Sequence, residues 1–308
     1  MILSILTTIL LPVFVVAAIS AVAQRQLRLD VQSFSKAAFY VFSPAMVIDA
    51  LADSDVSGME FGQIALGMVV TMLAIWGITE LLARLFRLGD ATRASFQVTT
   101  VLANTGNYGL PVNLFAFGQA GLIRGALVVT VNAIMRSTLG VYLAARGHGR
   151  SARETVRQVL SVPMIYAAVI GVIINVTGFT LPEPILKAAK IMGQGMVPSS
   201  MVVLGTQMLS TLEAQRRSAT TQTGPLIAAT LARLVLAPLI AYHVGGFVGL
   251  RGLARNVLTL ECATPSAVMS LVLATEFDTD VDFAALAILA TTLGSLVTVT
   301  GWLSWLIR

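Results

Sequence analysis

Long apolar segments alternate with short polar connectors along almost the whole chain. Most of these segments approach about 20 residues, the length that a helix needs to cross the hydrocarbon of a bilayer. The pattern predicts ten membrane spans, at Ile2–Ala23, Phe34–Leu51, Gly62–Ala83, Thr92–Phe117, Leu122–Ala145, Val159–Phe179, Pro184–Leu209, Pro225–Val248, Leu253–Thr275 and Phe283–Ile307. We therefore expect an all-α integral membrane protein with no separate soluble domain.

The composition is also that of a membrane protein. The chain has 308 residues, of which 56% are hydrophobic and 11% charged, with a mean hydropathy of +0.84, whereas a soluble domain carries about 25% charged residues. The formal net charge of +5 does not indicate nucleic-acid binding. The lysines and arginines lie at the ends of apolar segments and form no basic domain.

Lysine and arginine are distributed unevenly between the two sets of connectors. One set holds 12 of them, Arg25, Arg28, Lys36, Arg84, Arg87, Arg93, Arg146, Arg150, Arg153, Arg157, Arg216 and Arg217, and the other holds 6, Arg124, Lys187, Lys190, Arg251, Arg255 and Arg308. Cytoplasmic loops are enriched in these residues. The difference predicts a plasma (inner) membrane protein with both termini on the non-cytoplasmic side. The acidic connector 276–280 falls on the cytoplasmic side and weakens this orientation without reversing it.

The fourth predicted span contains a stretch that cannot run as an unbroken helix. Its residues are Asn104-Thr105-Gly106-Asn107-Tyr108-Gly109-Leu110-Pro111. Glycine lowers helix propensity, and proline removes a donor and collides with the preceding turn. Backbone N–H and C=O groups that lose their helical partners inside the membrane are stable only where they contact protein or a water-filled cavity. Broken helices of this kind hold substrate in secondary transporters, although a proline kink between packed helices is the simpler alternative.

Prolines suggest an internal repeat. Pro44 lies 154 residues before Pro198, and Pro111 lies 154 residues before Pro265 (198 − 44 = 154; 265 − 111 = 154). Chance remains an alternative, because 10 prolines offer many pairs. An odd number of spans in each half would insert the second half in the opposite orientation, as in the inverted repeats of secondary transporters.

The repeat divides the chain into two five-helix units. We expect a first inverted repeat at residues 1–145, a cytoplasmic connector at 146–158 and a second inverted repeat at 159–308. The broken helices would be the fourth and the ninth, crossing near the bilayer midplane. Half-helix N-termini at such a crossing present free N–H groups and a positive dipole end, which favour a carboxylate.

Three stretches of the chain resemble the auxin efflux carrier family. They are residues 104–111, Ala263-Thr264-Pro265-Ser266-Ala267 in the ninth span, and Thr291-Thr292-Leu293-Gly294-Ser295-Leu296 in the tenth. The Asn-Thr-Gly-x-x-Gly-Leu-Pro pattern is its most specific part, and the likeness extends over essentially the whole chain. The resemblance implies a fold similar to bile acid/sodium symporters and sodium/proton antiporters. In that fold, spans one, two, six and seven form a scaffold, and spans three to five and eight to ten form a transport domain.

The same resemblance implies substrates and assembly. Plant members export auxin, an aromatic carboxylate, and bacterial members are mostly described as malate or malonate carriers. This chain lacks the long hydrophilic central loop of many plant members, so it resembles a bacterial short form. Family members also suggest a homodimer that associates through the scaffold.

Two arginines lie within predicted spans, Arg136 in the fifth and Arg233 in the eighth. Ionisable groups inside a membrane are costly and mark functional sites by default. A guanidinium suits a carboxylate ligand, and two of them would suit a dicarboxylate. The alternative is an internal salt bridge to Glu80 or Glu261.

Carboxylates within spans are candidates for coupling. Glu261, which the offset of 154 pairs with Asn107 (261 − 107 = 154), would take a proton or else satisfy freed backbone groups. Asp49, late in the second span, lies in the substrate pathway or at the interface. Oxygens of asparagine and threonine near the breaks suit Na⁺. The sequence does not distinguish proton coupling, sodium coupling and uncoupled transport.

We therefore predict a secondary-active or facilitative carrier of small organic anions that works by alternating access. The predicted substrate-binding residues are Asn104, Thr105, Gly106, Asn107, Tyr108, Pro111, Asn132, Arg136, Arg233, Thr264, Pro265 and Ser266, and the predicted coupling residues are Glu261, Glu80 and Asp49. No motif indicates an enzyme, a bound cofactor or a metal centre. An ion channel is the rival class, although no polar stripe is evident on several spans, and a coupled symporter of a larger amphipathic acid is the alternative carrier.

Overall fold

The computed structural model describes residues 2–27, 30–52, 56–145, 157, 160–177, 179, 181–215 and 222–307. These residues are helical apart from short connections, and their strand-like pairing is confined to an isolated antiparallel bridge. Five of the described helices are long and apolar enough to cross a membrane. The expected fold class is confirmed at this level. The predicted connector 146–158 lies outside the described residues, apart from residue 157.

The helices follow the predicted apolar segments. Up to residue 145 they are α1 (Ile2–Leu27), α2 (31–52), α3 (Gly58–Leu85), α4 (Asp90–Val101), α5 (105–117) and α6 (119–144). The later ones are α7 (Pro163–Thr177), α8 (Glu183–Gln194), α9 (Met196–Gln215), α10 (Thr223–Phe247), α11 (Gly252–Cys262), α12 (Met269–Glu276) and α13 (Val281–Leu306). Asp30, Ser57 and Asp280 cap α2, α3 and α13 by accepting from backbone N–H groups of the first turn, which satisfies donors that a helix start leaves free.

A single glycine turns the chain between α5 and α6. Gly118 has φ 67° and ψ −159°, a conformation that glycine adopts without the steric cost of a Cβ. The two helices then fold back on each other, since a Cβ added to Gly125 would lie 3.3 Å from Leu110 Cδ2. This turn falls between the predicted fourth and fifth spans and brings the chain after the first break alongside α6.

Two of the helices are broken in the middle of their apolar segments. α4 ends at Val101 and helical structure resumes at Thr105, while α11 ends at Cys262 and α12 begins at Met269. The fourth and ninth predicted spans are therefore interrupted, as the glycines and prolines in them indicated. A simple proline kink does not describe either of them.

The two interrupted segments run antiparallel and share backbone hydrogen bonds. Asn104 N donates to Pro265 O at 2.8 Å, and Ala267 N donates to Leu102 O at 2.9 Å. The pair satisfies backbone groups that would otherwise be unpaired inside the membrane. The two bonds flank the bridge between Ala103 and Ser266, residues that lie 163 apart in the chain (266 − 103 = 163).

The two prolines of the 154-residue offset lie in different settings. Pro265 lies in the antiparallel pair, whereas Pro111 lies inside α5, two residues after the π turn Thr105–Gly109, where the helical hydrogen bond lost at proline fits the local widening. The break expected within residues 104–111 lies at 102–104. Asn107 and Glu261, which the offset of 154 pairs, lie on α5 and near the end of α11, and their equivalence stays a prediction.

The remaining helices pack closely around glycines. α1 packs on α9, and the later part of α2 packs on α7 and α8. A Cβ on Gly193 would lie 2.8 Å from Met46 Cα, and Gly205 faces the carbonyl of Ala17 directly. Small residues at such contacts let helix backbones approach closely, as is common in membranes. Outward-facing positions are apolar, for example Val297, which is 77% exposed.

Candidate functional site

A cavity of about 310 Å³ lies beside the first helix break, between α2, α6 and α9. One wall is a face of α2, formed by Gln32, Ser35, Lys36, Phe39, Tyr40 and Ser43. Their spacing of three, four, seven, eight and eleven residues from Gln32 places them on one side of a helix. The helix contains a π turn at Ala38–Phe42, and Pro44 follows it in the next turn. Proline at this point removes a helical hydrogen bond, which fits the local widening.

The broken segment forms the opposite wall with α6. It contributes Asn104, Thr105, Gly106 and Asn107. Asn132 on α6 donates to Ala103 O at 3.2 Å and to Thr105 Oγ1 at 2.9 Å. These bonds tie α6 to the unwound chain. The Oδ1 atom of Asn132 has no hydrogen-bond partner among the described residues.

Across the cavity, α9 contacts the broken segment through a side-chain amide pair. Asn107 Nδ2 donates to Gln207 Oε1 at 3.2 Å, and both residues line the cavity. The second break contributes Ala267, Val268 and Met269, which are apolar. The cavity thus has polar amides at the first break and an apolar surface at the second.

The charged groups among the described lining residues are both cationic. Arg136 lies half-buried on α6, and its guanidinium is 5.0 Å from the centroid of the Phe39 ring. Lys36 is exposed at the end of the cavity near the start of α2. The described lining includes no aspartate or glutamate. An apolar site with two cations and several amides has the chemistry to hold an organic anion.

Arg233 lies elsewhere and binds backbone. It is 2% exposed in a π turn of α10, at Ala232–Leu236. Its Nη1 donates to Thr100 O at 3.1 Å and Val101 O at 3.2 Å, and its Nη2 donates to Cys262 O. Arg233 is not among the residues that line the cavity. The structure therefore places its guanidinium against the C-terminal ends of α4 and α11, where a positive charge complements the helix dipoles.

Glu261 is fully buried between α11 and the hairpin of α5 and α6. Its Oε1 accepts from Asn113 Nδ2 at 2.8 Å. The carboxyl fits against two glycines, since a Cβ on Gly109 would lie 2.6 Å from its Cδ and one on Gly125 would lie 3.0 Å from its Oε1. The internal salt bridge considered between Glu261 and an arginine is not among the ion pairs of the described residues.

The other predicted residues are distributed as follows. Tyr108 is buried, with its hydroxyl 3.0 Å from Ser295 Oγ and its ring packed edge-on against Phe14. Thr264 Oγ1 donates to Glu261 O, and Ser266 N donates to Thr291 Oγ1. Of the predicted substrate-binding residues, the cavity brings together Asn104, Thr105, Gly106, Asn107, Asn132 and Arg136, and its lining does not include Tyr108, Pro111, Arg233, Thr264, Pro265 and Ser266.

The two further predicted coupling residues lie near helix ends. Glu80 accepts from Arg84 Nε at 2.9 Å, from Gln97 Nε2 at 2.8 Å and from Arg93. These bonds join the end of α3 to α4. Asp49 is half-buried near the end of α2.

Sequence reasoning missed three polar residues of the site region, Lys36, Gln207 and Asn113. Lys36 had been interpreted only as an orientation signal. The helical spacing of Gln32, Ser35 and Lys36 at the start of an apolar segment would have indicated a polar face on α2. Nothing local distinguishes Gln207 and Asn113, because their roles depend on partners 100 and 148 residues away in the chain.

An all-α chain with several membrane-length helices and a polar cavity at a helix break is typical of a membrane transporter. Residues 5–161 and 150–303 match the family model described as membrane transport protein. The chain is 27% identical over 275 residues to an uncharacterised transporter of Methanocaldococcus jannaschii, covering 87% of each chain. It is 31% identical over 278 residues to an uncharacterised transporter of Methanothermobacter thermautotrophicus, covering 89% of this chain and 88% of that one.

The chain therefore belongs to this membrane transport protein family, the auxin efflux carrier family that its motifs resemble. It is a multi-pass membrane transporter and not an enzyme.

Proposed function

We propose that this protein carries small organic anions across the membrane by alternating access, as a secondary-active or facilitative transporter. One observation carries the proposal: the cavity beside the first break is lined by Arg136 and Lys36, and its described lining includes no acidic side chain. A cavity of this charge repels cations and suits a carboxylate. The volume of about 310 Å³ is sufficient for malonate, malate or an auxin-like aromatic acid.

The proposed binding mode uses a guanidinium and amides. Arg136 offers a planar donor fork for one carboxylate. Asn104 and Asn107 on the broken segment offer neutral amide groups. The Oδ1 atom of Asn132, one turn before Arg136 on α6, has no partner among the described residues and can accept from a hydroxyl. Lys36 at the mouth then meets a second carboxylate, which makes dicarboxylates the first choice.

An amphipathic monocarboxylate is the second choice, and a specific observation favours it. The rings of Phe39 and Tyr40 and the side chains of Val129, Val203 and Met269 form an apolar part of the lining. Such a surface suits the ring of an aromatic acid. Flux measurements separate the two choices.

The inverted-repeat architecture belongs to the same proposal. When 163 is added to the residue numbers of the early helices, their ranges overlap those of later helices. The range of α2 (31–52) becomes 194–215, which contains α9 (Met196–Gln215), and that of α3 (Gly58–Leu85) becomes 221–248, which contains α10 (Thr223–Phe247). The range of α6 (119–144) becomes 282–307, which overlaps α13 (Val281–Leu306). This correspondence supports two repeats, at 1–145 and 159–308, with the fourth and ninth helices crossing.

In the proposed mechanism, spans one, two, six and seven form the scaffold, and spans three to five and eight to ten carry the crossing helices. The cavity lies at their boundary, since α2 and α9 form two walls and the first break and α6 form the others. Movement of the transport domain against the scaffold would expose it alternately to the two sides. Lys36, which lines the cavity, belongs to the set of positive residues assigned to the cytoplasmic side, so we place this part of the cavity toward the cytoplasm.

Coupling, location and assembly complete the proposal. Glu261 is the coupling residue that we favour, because it is fully buried next to the second break. The membrane would be the plasma (inner) membrane with both termini outside. A homodimer would associate through the scaffold, as the family resemblance implies.

Flux into proteoliposomes tests the function. Labelled malonate, malate and indole-acetate would be supplied with and without Na⁺ and a pH gradient. We expect saturable uptake of at least one acid, with competition by the unlabelled form. Flux that does not saturate would identify a channel, and absence of any anion flux in protein that remains folded would contradict the proposal.

A further inference from the structure

A buried acid–amide pair lies outside the cavity, between the last turn of α11 and the later part of α5. Glu261 and Asn113 are each 0% exposed. Asn113 Nδ2 donates to Glu261 Oε1 at 2.8 Å and to Gly109 O at 3.0 Å. Glu261 does not line the cavity. The pair therefore needs an explanation apart from substrate binding.

Each member of the pair has one oxygen left over. Glu261 Oε2 and Asn113 Oδ1 are buried and have no hydrogen-bond partner among the described residues. An ionised carboxylate with a single donor is very unfavourable away from water, and such a group becomes neutral instead. A buried amide oxygen without a donor is also costly.

One proton on Glu261 removes both defects. A proton on Oε2 turns that oxygen into a donor, and the unpaired acceptor on the group already bonded to it is Asn113 Oδ1. Carboxylic acids and primary amides are complementary in this way, because each has one donor beside one acceptor. We propose that Glu261 binds a proton and holds it in a closed acid–amide pair with Asn113.

The surrounding charges do not offer Glu261 a counter-ion. Arg233 donates to the carbonyls at the ends of α4 and α11. Arg255 donates to Tyr242 O and lies over its ring, and Arg124 pairs with Glu60. His243 on α10 is exposed, and Cys262 beside Glu261 is a buried thiol. A proton is therefore the available means of neutralising the carboxyl.

The packing also favours a proton over a metal ion. Gly109 and Gly125 lie against the carboxyl so closely that a single added Cβ would contact it at 2.6–3.0 Å. A cation such as Na⁺ needs several oxygen ligands around it, whereas the unpartnered side-chain oxygens of this pair are two, Glu261 Oε2 and Asn113 Oδ1. A proton needs no extra volume. Both glycines therefore pack directly against the carboxyl.

The position of the pair suggests its role in transport, which rests on the proposed function. Glu261 immediately precedes the end of α11 at Cys262, and Asn113 lies in the first turns after Leu110. The pair therefore joins the two broken helices. Loss of the proton would leave a buried charge and break the pair, so proton release would accompany rearrangement of the breaks.

Infrared spectroscopy of the purified protein tests the proton site without any substrate. At neutral pH the wild-type protein should show the C=O stretch of a protonated, hydrogen-bonded carboxylic acid. Glu261→Gln should abolish this band, and Asn113→Leu should keep the band and move it to higher frequency. Glu213→Gln, which changes an exposed glutamate on α9, is the matched control and should leave the band unchanged.

Two results would overturn the proton site. One is a wild-type spectrum with no acid band that depends on Glu261. The other is thermal stability that rises with Na⁺ in the wild-type protein and not in Glu261→Gln, which would identify a cation site. Because neither measurement uses substrate, the outcome is independent of whether the protein carries organic anions. In proteoliposomes, Glu261→Gln should lose the response of uptake to a pH gradient, whereas Glu213→Gln should keep it.

Discussion

The guanidinium of Arg136 lies 5.0 Å from the centroid of the Phe39 ring, inside the cavity beside the first helix break. A cation over an aromatic face is attracted by the ring quadrupole. The contact keeps the charge in place without a carboxylate and leaves the planar N–H donors available. This arrangement leads to the first prediction.

Arg136→Gln should weaken anion binding by about 10- to 100-fold, because a hydrogen bond to a charged group contributes about 1.5–3 kcal/mol. Arg136→Lys should recover part of the loss, since it restores the charge without the fork. The concentration dependence of uptake measures the effect. Lys187→Gln changes an exposed lysine that pairs with Glu183 and should have no effect. Unchanged affinity in Arg136→Gln would exclude the guanidinium as a ligand.

Lys36 should determine which anions are preferred. We expect Lys36→Gln to weaken uptake of malonate or malate more than uptake of a monocarboxylate, because the second carboxylate would lose its counter-charge. The ratio of the two affinities is the quantity to measure, and Lys190→Gln is a matched exposed control. An equal loss for both classes would show that Lys36 acts only on entry through long-range attraction.

Arg233 should act on stability rather than as a ligand. Arg233→Met would leave the carbonyls of Thr100, Val101 and Cys262 without their donor. Each buried group left unsatisfied costs about 1–3 kcal/mol, so we expect a clearly lower thermal unfolding midpoint and faster amide exchange around both breaks. Arg233→Lys should recover only part of this. A variant with unchanged stability and abolished binding would restore Arg233 as a substrate ligand.

Gly109 should not accept a side chain. A Cβ at this position would lie 2.6 Å from Glu261 Cδ, and overpacking of this kind costs about 1–3 kcal/mol. Gly109→Ala should therefore lower the thermal unfolding midpoint. Gly77→Ala is the matched control, since it lies within α3 with no atom inside 4 Å of the added Cβ. Alanine there should stabilise the helix by up to about 1 kcal/mol. Equal behaviour of the two variants would contradict the packing argument.

The hydrophobic pattern was sufficient to predict where the helices lie and where two of them break. Length and apolarity are local properties, and glycine and proline interrupt a helix wherever they occur in it. The stretch at 104–111 and the residues around Pro265 were identified in this way. The location of unwinding was less accurate, because the chain is already helical from Thr105 and Pro111 is accommodated after a π turn.

The prolines and the contact between the two breaks relate different pairs of residues. Pro111 and Pro265 are separated by 154 residues, as are Pro44 and Pro198, and this is a relationship of sequence position alone. The backbone bridge between the two breaks relates residues that lie 163 apart (266 − 103 = 163). The spacing of one residue type does not show which distant segments are joined by hydrogen bonds. The pairing of the two breaks is therefore visible only in the contact between them.

The sequence by itself determined that this chain is a helical membrane protein with two interrupted helices and buried ionisable groups. The tertiary structure alone decided what those groups contact: Arg136 meets a cavity, Arg233 meets helix ends and Glu261 meets Asn113. The physical reason is that hydropathy is a sum over neighbouring residues. Hydrogen bonds and charge neutralisation depend on partners that only folding brings together.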